Sequence, residues 1–278
     1  MAFLQEAEPL RGIKLAVIPG VHRVVAPNAS VMTYYGTNTY LIDDGDAGIT
    51  VLDPGPSNQS HIAAVVAAGR GLIHRIIVTH SHSDHYGGSD ALREATGAPV
   101  YASEFASGEK FIVDHTLRDG EAIAGLTALH TPGHAIDHLC FERSDGVVFT
   151  ADHVMGWASS IVNPPDGDMR DYCDSLEKML TRPHVMYLCG HGPAIPDPLP
   201  HVRSLLNHRR SREDAIAATV ARGAADPRSL MEQLYSKIDP VLKNAAERNV
   251  LAHLLKMQKE GKVQPRGTLW HWIAGTGI

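Results

Sequence analysis

The chain has 278 residues, of which 44% are apolar and 20% charged, and a net charge of −6. That is the profile of an ordinary globular protein, long enough for one α/β layered body with an appendage. No run approaches the ~20 consecutive apolar residues of a membrane span. Three cysteines without CxxC spacing, Cys140, Cys173 and Cys189, fit a reducing cytoplasm better than a disulfide framework.

The opening MAFLQEAEPLRG lacks the basic and apolar regions of a secretory leader, so the expectation is a cytoplasmic protein with no membrane partner. Strand-like runs follow. GIKLAVIPG, HRVVAPN, NTYLIDD and GITVLDPG are punctuated by Gly, Pro, Asn and Asp, with DDGDAG as a hairpin turn. NQSHIAAVVAAG predicts a helix closing at Gly69, RIIVTH a fully apolar strand, SDALREATG a helix opening near Ser89, and PVYAS another strand. LTALHT, HLCFER and GVVFTAD repeat the strand pattern, and a helix over DYCDSLEKMLTR leads into the strand VMYLCG. Strands interleaved with helices imply an α/β layered architecture.

GPAIPDPLP holds four prolines in nine residues and reads as a linker, which divides the chain into a body, 1–200, and a tail, 201–278. The tail carries thirteen Lys/Arg against seven Asp/Glu, the body twelve against twenty-four. In the tail, Ser211 and Asp214 form a capping-box pattern. DPRSLMEQLYSKI and DPVLKNAAERNVLAHLLKMQKEG each begin with Asp as helix cap and Pro at the first helical position. The last helix closes at Gly261, and KVQPRGTLWHWI looks like a hairpin, which completes a winged-helix-like tail.

The chemistry concentrates in HRIIVTHSHSDHYGG. Residues i and i+2 of an extended strand end project to one side, so His80 and His82 can share one metal ion. Asp84 and His85, where the chain turns, offer a second pair. His134 in TPGH, Asp152 in TAD and His191 in GHGP each follow an apolar strand, and strand ends are where ligand sites collect in α/β sheets. Imidazole and carboxylate suit Zn²⁺, and Fe or Mn would be held by the same donors. His61, His74 and His253 sit in apparent element interiors, where a satisfied or solvated side chain is the plain reading.

THSHSDH, TPGH, TAD and GHG in this order resemble the metallo-β-lactamase superfamily, which implies an αβ/βα sandwich with a dinuclear site, here two Zn²⁺ per chain. Carried over by motif, His80, His82 and His134 would hold one ion, Asp84, His85 and His191 the other, and Asp152 would bridge them. Asp53 in VLDPG matches an acid that orients a ligand histidine. YYGTNTYLI, GHAIDH, ADHVMGW, PPDGDM and GHGP further resemble the β-lactamase-like protein two group, whose members carry a similar C-terminal winged-helix-like domain.

Two ions sharing a water bring it towards neutral pKa, so a bridging hydroxide would attack a carbonyl or a phosphorus. Asp84, His153 and Tyr86 are the candidate catalytic side chains. Asp84 would orient the nucleophile or relay its proton, His153 would act from beside the bridging acid, and Tyr86, like Tyr34 or Tyr35, would line the pocket. His138 is a further candidate donor behind the ligands. For the aromatic residues, packing at the sheet rim is the competing reading. The leading expectation is a metal-dependent hydrolase of an ester, thioester or lactone. Its alternative, implied by the resemblance, is an endonuclease of single-stranded RNA held by the basic tail. Minor β-lactam hydrolysis and a non-enzymatic nucleic-acid-binding protein rank lower. A homodimer is compatible with the sequence.

Overall fold

The computed structural model describes residues 3–273. Its first sheet takes seven strands in chain order: β1 (Leu15–Ile18), β2 (Val21–Val25), β3 (Asn38–Asp43), β4 (Ile49–Leu52), β5 (Ile73–Ile77), β6 (Val100–Ser103) and β7 (His115–Leu117). β1 to β4 pair antiparallel and β4 to β7 parallel. Helix α1 (Gln59–Gly69) makes the crossover between β4 and β5; α2 (Ser83–Tyr86) and α3 (Ser89–Thr96) make the next.

The second sheet contains β8 (Ala122–Ile123), β9 (Leu126–His130), β10 (Leu139–Arg143), β11 (Val147–Ala151), β12 (Met186–Cys189) and β13 (Ile195–Pro196), again in chain order. Only β11 and β12 are parallel, joined through α4 (Met169–Leu180). β7 and β8 escape sequence reading because three and two residues carry no measurable periodicity.

Alternation along the strands creates the layers. Tyr40, Ile42, Leu52 and Ile77 of the first sheet meet Phe141, Phe149 and Leu188 of the second between the sheets. The intervening Leu41, Val51 and Ile76 turn outward beneath α1 and α3. On the far side Cys140, Val148 and Tyr187 pack against Tyr172 and Leu176 of α4. Each large apolar side chain so buried contributes roughly 1.5–3 kcal/mol. The result is the expected αβ/βα sandwich.

The tail departs from expectation at its start. The proline-rich segment is no linker: Ile195–Pro196 pairs with β12, and Pro198 opens α5 (Pro198–Arg222), at a position where a missing N–H costs nothing. Ser211 and Asp214 lie inside this 25-residue helix and start nothing, because backbone N–H groups there already have i−4 carbonyl partners. The first half of α5 buries Val202, Leu205 and Leu206 in the body core. Its second half buries Ile216 and Val220 with Leu230, Val250, Leu254 and Trp270 of the tail. Position 200 therefore falls in the first turn of a helix shared by both cores. Asp226 caps α6 (Pro227–Leu234) by accepting from the Arg228 and Ser229 N–H groups. Asp239 caps a single 3₁₀ turn that runs into α7 (Lys243–Lys259), and β14 (Val263–Arg266) and β15 (Leu269–Trp272) form the hairpin. Among the described residues no helix is long and apolar enough to cross a membrane.

Candidate metal centre

Two parallel pairs deliver the site. β4 and β5 end side by side, so Asp53 after β4 lies beside Thr79 and His80 after β5, and α2 then carries Asp84 and His85. In the facing sheet β11 and β12 end together, followed by Asp152 and His191, while His134 comes from the β9–β10 loop. Parallel neighbours put their C-terminal ends on one edge, so both sheets feed a single rim. Gly190 is required where they meet. A Cβ there would stand 2.6 Å from Asp152 Oδ1 and 2.9 Å from His85 Cε1.

The seven residues converge as two overlapping groups. His82 Nδ1 lies 3.0 Å from both His80 Nε2 and His134 Nε2. His191 Nε2 lies 3.3 Å from Asp84 Oδ2 and from Asp152 Oδ1, and His85 Nε2 lies 3.4 Å from Asp152 Oδ1. Asp152 Oδ2 reaches across to within 3.6 Å of His134 Nε2. Donors around one zinc-sized ion stand about 3.4 Å apart.

The outward ring nitrogens fix the proton positions. Thr79 Oγ1 has one proton and gives it to Asp53 Oδ2 at 2.9 Å, so at 3.0 Å it accepts from His80 Nδ1. His85 Nδ1 donates to Asp53 Oδ2 (2.8 Å), His134 Nδ1 to the Ile161 carbonyl (2.7 Å) and His191 Nδ1 to the Gly36 carbonyl (3.3 Å). His82 Nε2 faces Asp166 Oδ2 at 3.3 Å. In their neutral form all five imidazoles therefore turn a lone pair inward, the arrangement that ligand histidines adopt when acceptors hold their other nitrogen. His85 Nε2, His191 Nε2 and Asp152 Oδ1 are buried without a hydrogen-bond partner. Buried atoms of this kind are costly unless something satisfies them, and a cation is what this donor set fits.

Charge agrees. Burial, and His82 beside it, bring His134 down to about 4, and burial with His85 and His82 holds His80 well below the usual histidine range, so both are neutral donors. In the acidic half burial is outweighed. Asp152 and Asp84 raise His191 to about 9, and His85 and His191 bring Asp84 down to about 2. Without a bound cation, protons on these imidazoles balance the two carboxylates.

Above the cluster lies a cavity of about 430 Å³ with His82, Asp84, His134 and Asp152 on its floor. Met155, Trp157 and Ile161 make one wall, and α7 with the segment before it makes another. His153 and Tyr86, expected at the site, are not brought to this cavity. His153 is buried behind it, its ring 5.2 Å from Tyr172 under α4. Tyr86 stacks on Phe111 at 4.8 Å, because the short α2 turns it back towards the first sheet's helices. Tyr34 packs behind Trp157 at 5.2 Å. His138 lies under His80, with Nδ1 3.0 Å from Thr131 Oγ1. Sequence reading missed Asp166 and the carbonyls of Ile161 and Gly36, since a carbonyl leaves no trace in residue type. Asp166 had a signal in the acid-bearing PPDGDM loop.

Residues 32–111 match the metallo-beta-lactamase superfamily, and residues 227–272 the beta-lactamase associated winged helix domain. The beta-lactamase-like protein 2 homolog of Drosophila melanogaster is 29% identical over 90% of this chain and 94% of its own. The atrochrysone carboxyl ACP thioesterase of Aspergillus chevalieri is 30% identical over 92% of this chain and 87% of its own. A solved metallo-beta-lactamase family protein from Thermus thermophilus shares the fold, with a TM-score of 0.79 at 23% identity over 93% of this chain and 100% of that one.

Proposed function

The chain belongs to the metallo-β-lactamase superfamily and is a hydrolase, and on that premise we propose that it is a two-zinc hydrolase of acyl thioesters. His80, His82 and His134 would hold one ion, Asp84, His85 and His191 the second, with Asp152 between them. The inward lone pairs and the unpartnered buried atoms support this set. Two divalent ions there would supply Lewis acidity and a water acidified towards neutral pH.

The protein's own groups do the rest. Asp53 and Thr79 hold His85 and His80 in register. Asp84, 28% exposed at the cavity floor and ionised at neutral pH, stands where it can take the proton of an attacking water and release it to solvent. The carboxyls of Asp84, Asp152 and Asp166 are all held low, so none of them is protonated at neutral pH to serve as a general acid. A thiol leaving group, with a pKa of ~8.5, departs as thiolate and needs none.

The observation that carries the thioester over RNA is the apolar wall above the cluster. A polyanion calls for free cations, whereas the cavity's floor and rim hold Asp84, Asp152 and Asp166, and Arg209 is buried and already donates to the Ser160 carbonyl. The thioesterase name of one relative points the same way. The test offers zinc-loaded protein acyl thioesters, lactones and labelled single-stranded RNA side by side. Thiol release is expected, falling by roughly 10²–10⁴ in Asp84→Ala. Cleavage of RNA alone, lost in the same variant, would overturn the proposal.

A further inference from the structure

We infer that the C-terminal unit is the acyl-binding half of the active site, and that its residues between Tyr235 and Ala246 decide which acyl groups are accepted. The chemistry rests on the thioester reading above; the geometry does not. Facing the floor of the cavity are Tyr235, Ile238, Leu242, Ala245 and Ala246, all from the tail. Leu242 and Ala245 are half-buried and apolar, yet they belong to none of the packed core clusters. Their apolar surface therefore serves the cavity. At the opposite rim Phe3, Val31 and Met32 are 47%, 49% and 45% exposed, which extends the apolar lining to the mouth.

The same helix is tied to the metal cluster. Asn249 Oδ1 accepts from the Val162 N–H at 3.0 Å, and Arg248 donates to Asn163 Oδ1 at 2.6 Å and to the Pro164 carbonyl. The segment so held carries the Ile161 carbonyl that orients His134 and the Asp166 carboxylate that faces His82. Wall and floor are thus joined by hydrogen bonds through this one segment. At and just beyond the C-terminal end of α7 the cations are paired. Lys256 pairs with Glu213 and Glu260, Lys259 with Asp168, and Lys262 with Glu260. The apolar lining of wall and mouth favours an apolar occupant reaching up from the cluster, an acyl group well beyond acetyl in size.

The test compares acetyl and decanoyl thioesters of N-acetylcysteamine on the full-length zinc-loaded protein, its Ala245→Phe variant, which fills the wall, and Leu242→Ala, which removes part of it. In Ala245→Phe the decanoyl-to-acetyl ratio of kcat/KM should fall by about tenfold or more, the discrimination that a methylene or two commands in an apolar pocket. Leu242→Ala should raise KM for decanoyl more than for acetyl. A non-hydrolysable decanoyl thioether, titrated calorimetrically, reads the wall without catalysis and should lose affinity in both variants. Ratios and thioether affinities within twofold of the parent in both variants overturn the inference, as does a parent that does not bind the thioether. A parent that binds the thioether, loses it in Ala245→Phe and hydrolyses no thioester overturns the thioester reading and leaves the acyl wall standing.

Discussion

Asp53→Asn tests the proton arrangement at the centre of the site. Asp53 accepts from the Thr79 N–H (2.8 Å), the Thr79 hydroxyl (2.9 Å) and His85 Nδ1 (2.8 Å), and is itself buried. Asparagine fits the same volume and tolerates the left-handed backbone at φ 53°. The Thr79 N–H can only donate, so the amide oxygen must take the Oδ1 place and the NH₂ group faces His85. His85 can then accept only by moving its proton to Nε2, the nitrogen that points into the cluster. Loss of such an orienting acceptor costs 10–100-fold in metal affinity, and a proton forced onto a ligand nitrogen puts this case near the upper end, about 2.8 kcal/mol. The fold should lose only ~1 kcal/mol, since the other hydrogen bonds can re-form. Competition with a chromogenic chelator measures the affinity, and thermal melting controls for the fold. Zinc affinity within twofold of the parent, at full two-ion loading, would refute the tautomer argument.

Gly190→Ala should drive Asp152 and His85 apart, costing about 1–3 kcal/mol in stability through overpacking and cutting the zinc measured by elemental analysis below two per chain. Stripping metal with a chelator should abolish thiol release and lower the melting temperature, both restored by zinc, since an ion that binds only the folded chain stabilises it by ~4 kcal/mol at a thousandfold excess over Kd. Glu213 gives a pH test in the tail. Burial pushes its carboxyl up, but His253 and Lys256 outweigh this and bring it to about 2. A depressed carboxyl adds stability above its unfolded value, 4.5, and loses it as pH falls towards 2. Denaturant titrations from pH 6 to 3 should therefore show a shallower decline in Glu213→Gln than in the parent, by up to ~2 kcal/mol across the range.

The metal-ligand candidates were legible because the chemistry leaves few choices. His80, His82, Asp84 and His85 crowd the six residues where β5 gives way to α2, and His134, Asp152 and His191 each stand just past an apolar run. The two-residue period of the strands and the 3.6-residue period of the helices likewise declared the layers before any contact was known, and Asp226 followed by Pro227 declared a helix start. These are local signals, set by backbone sterics and capping hydrogen bonds within a few residues.

What tertiary structure alone decided is everything carried by a partner distant in the chain. Ser211 has the pattern of a helix cap, but α5 runs through it because Val202 and Leu205 on one side and Ile216 and Val220 on the other each find a core. Tyr86 adjoins a ligand in sequence, yet the direction of α2 sends it to Phe111. The Ile161 and Gly36 carbonyls, which hold two imidazoles in their working tautomer, have no side-chain identity to betray them. The apolar wall opposite the cluster exists only because α7 folds back onto the loop after Ile161 through Asn249 and Arg248. Local sequence specifies which groups can ligate or turn; only packing between segments far apart in the chain specifies what they face.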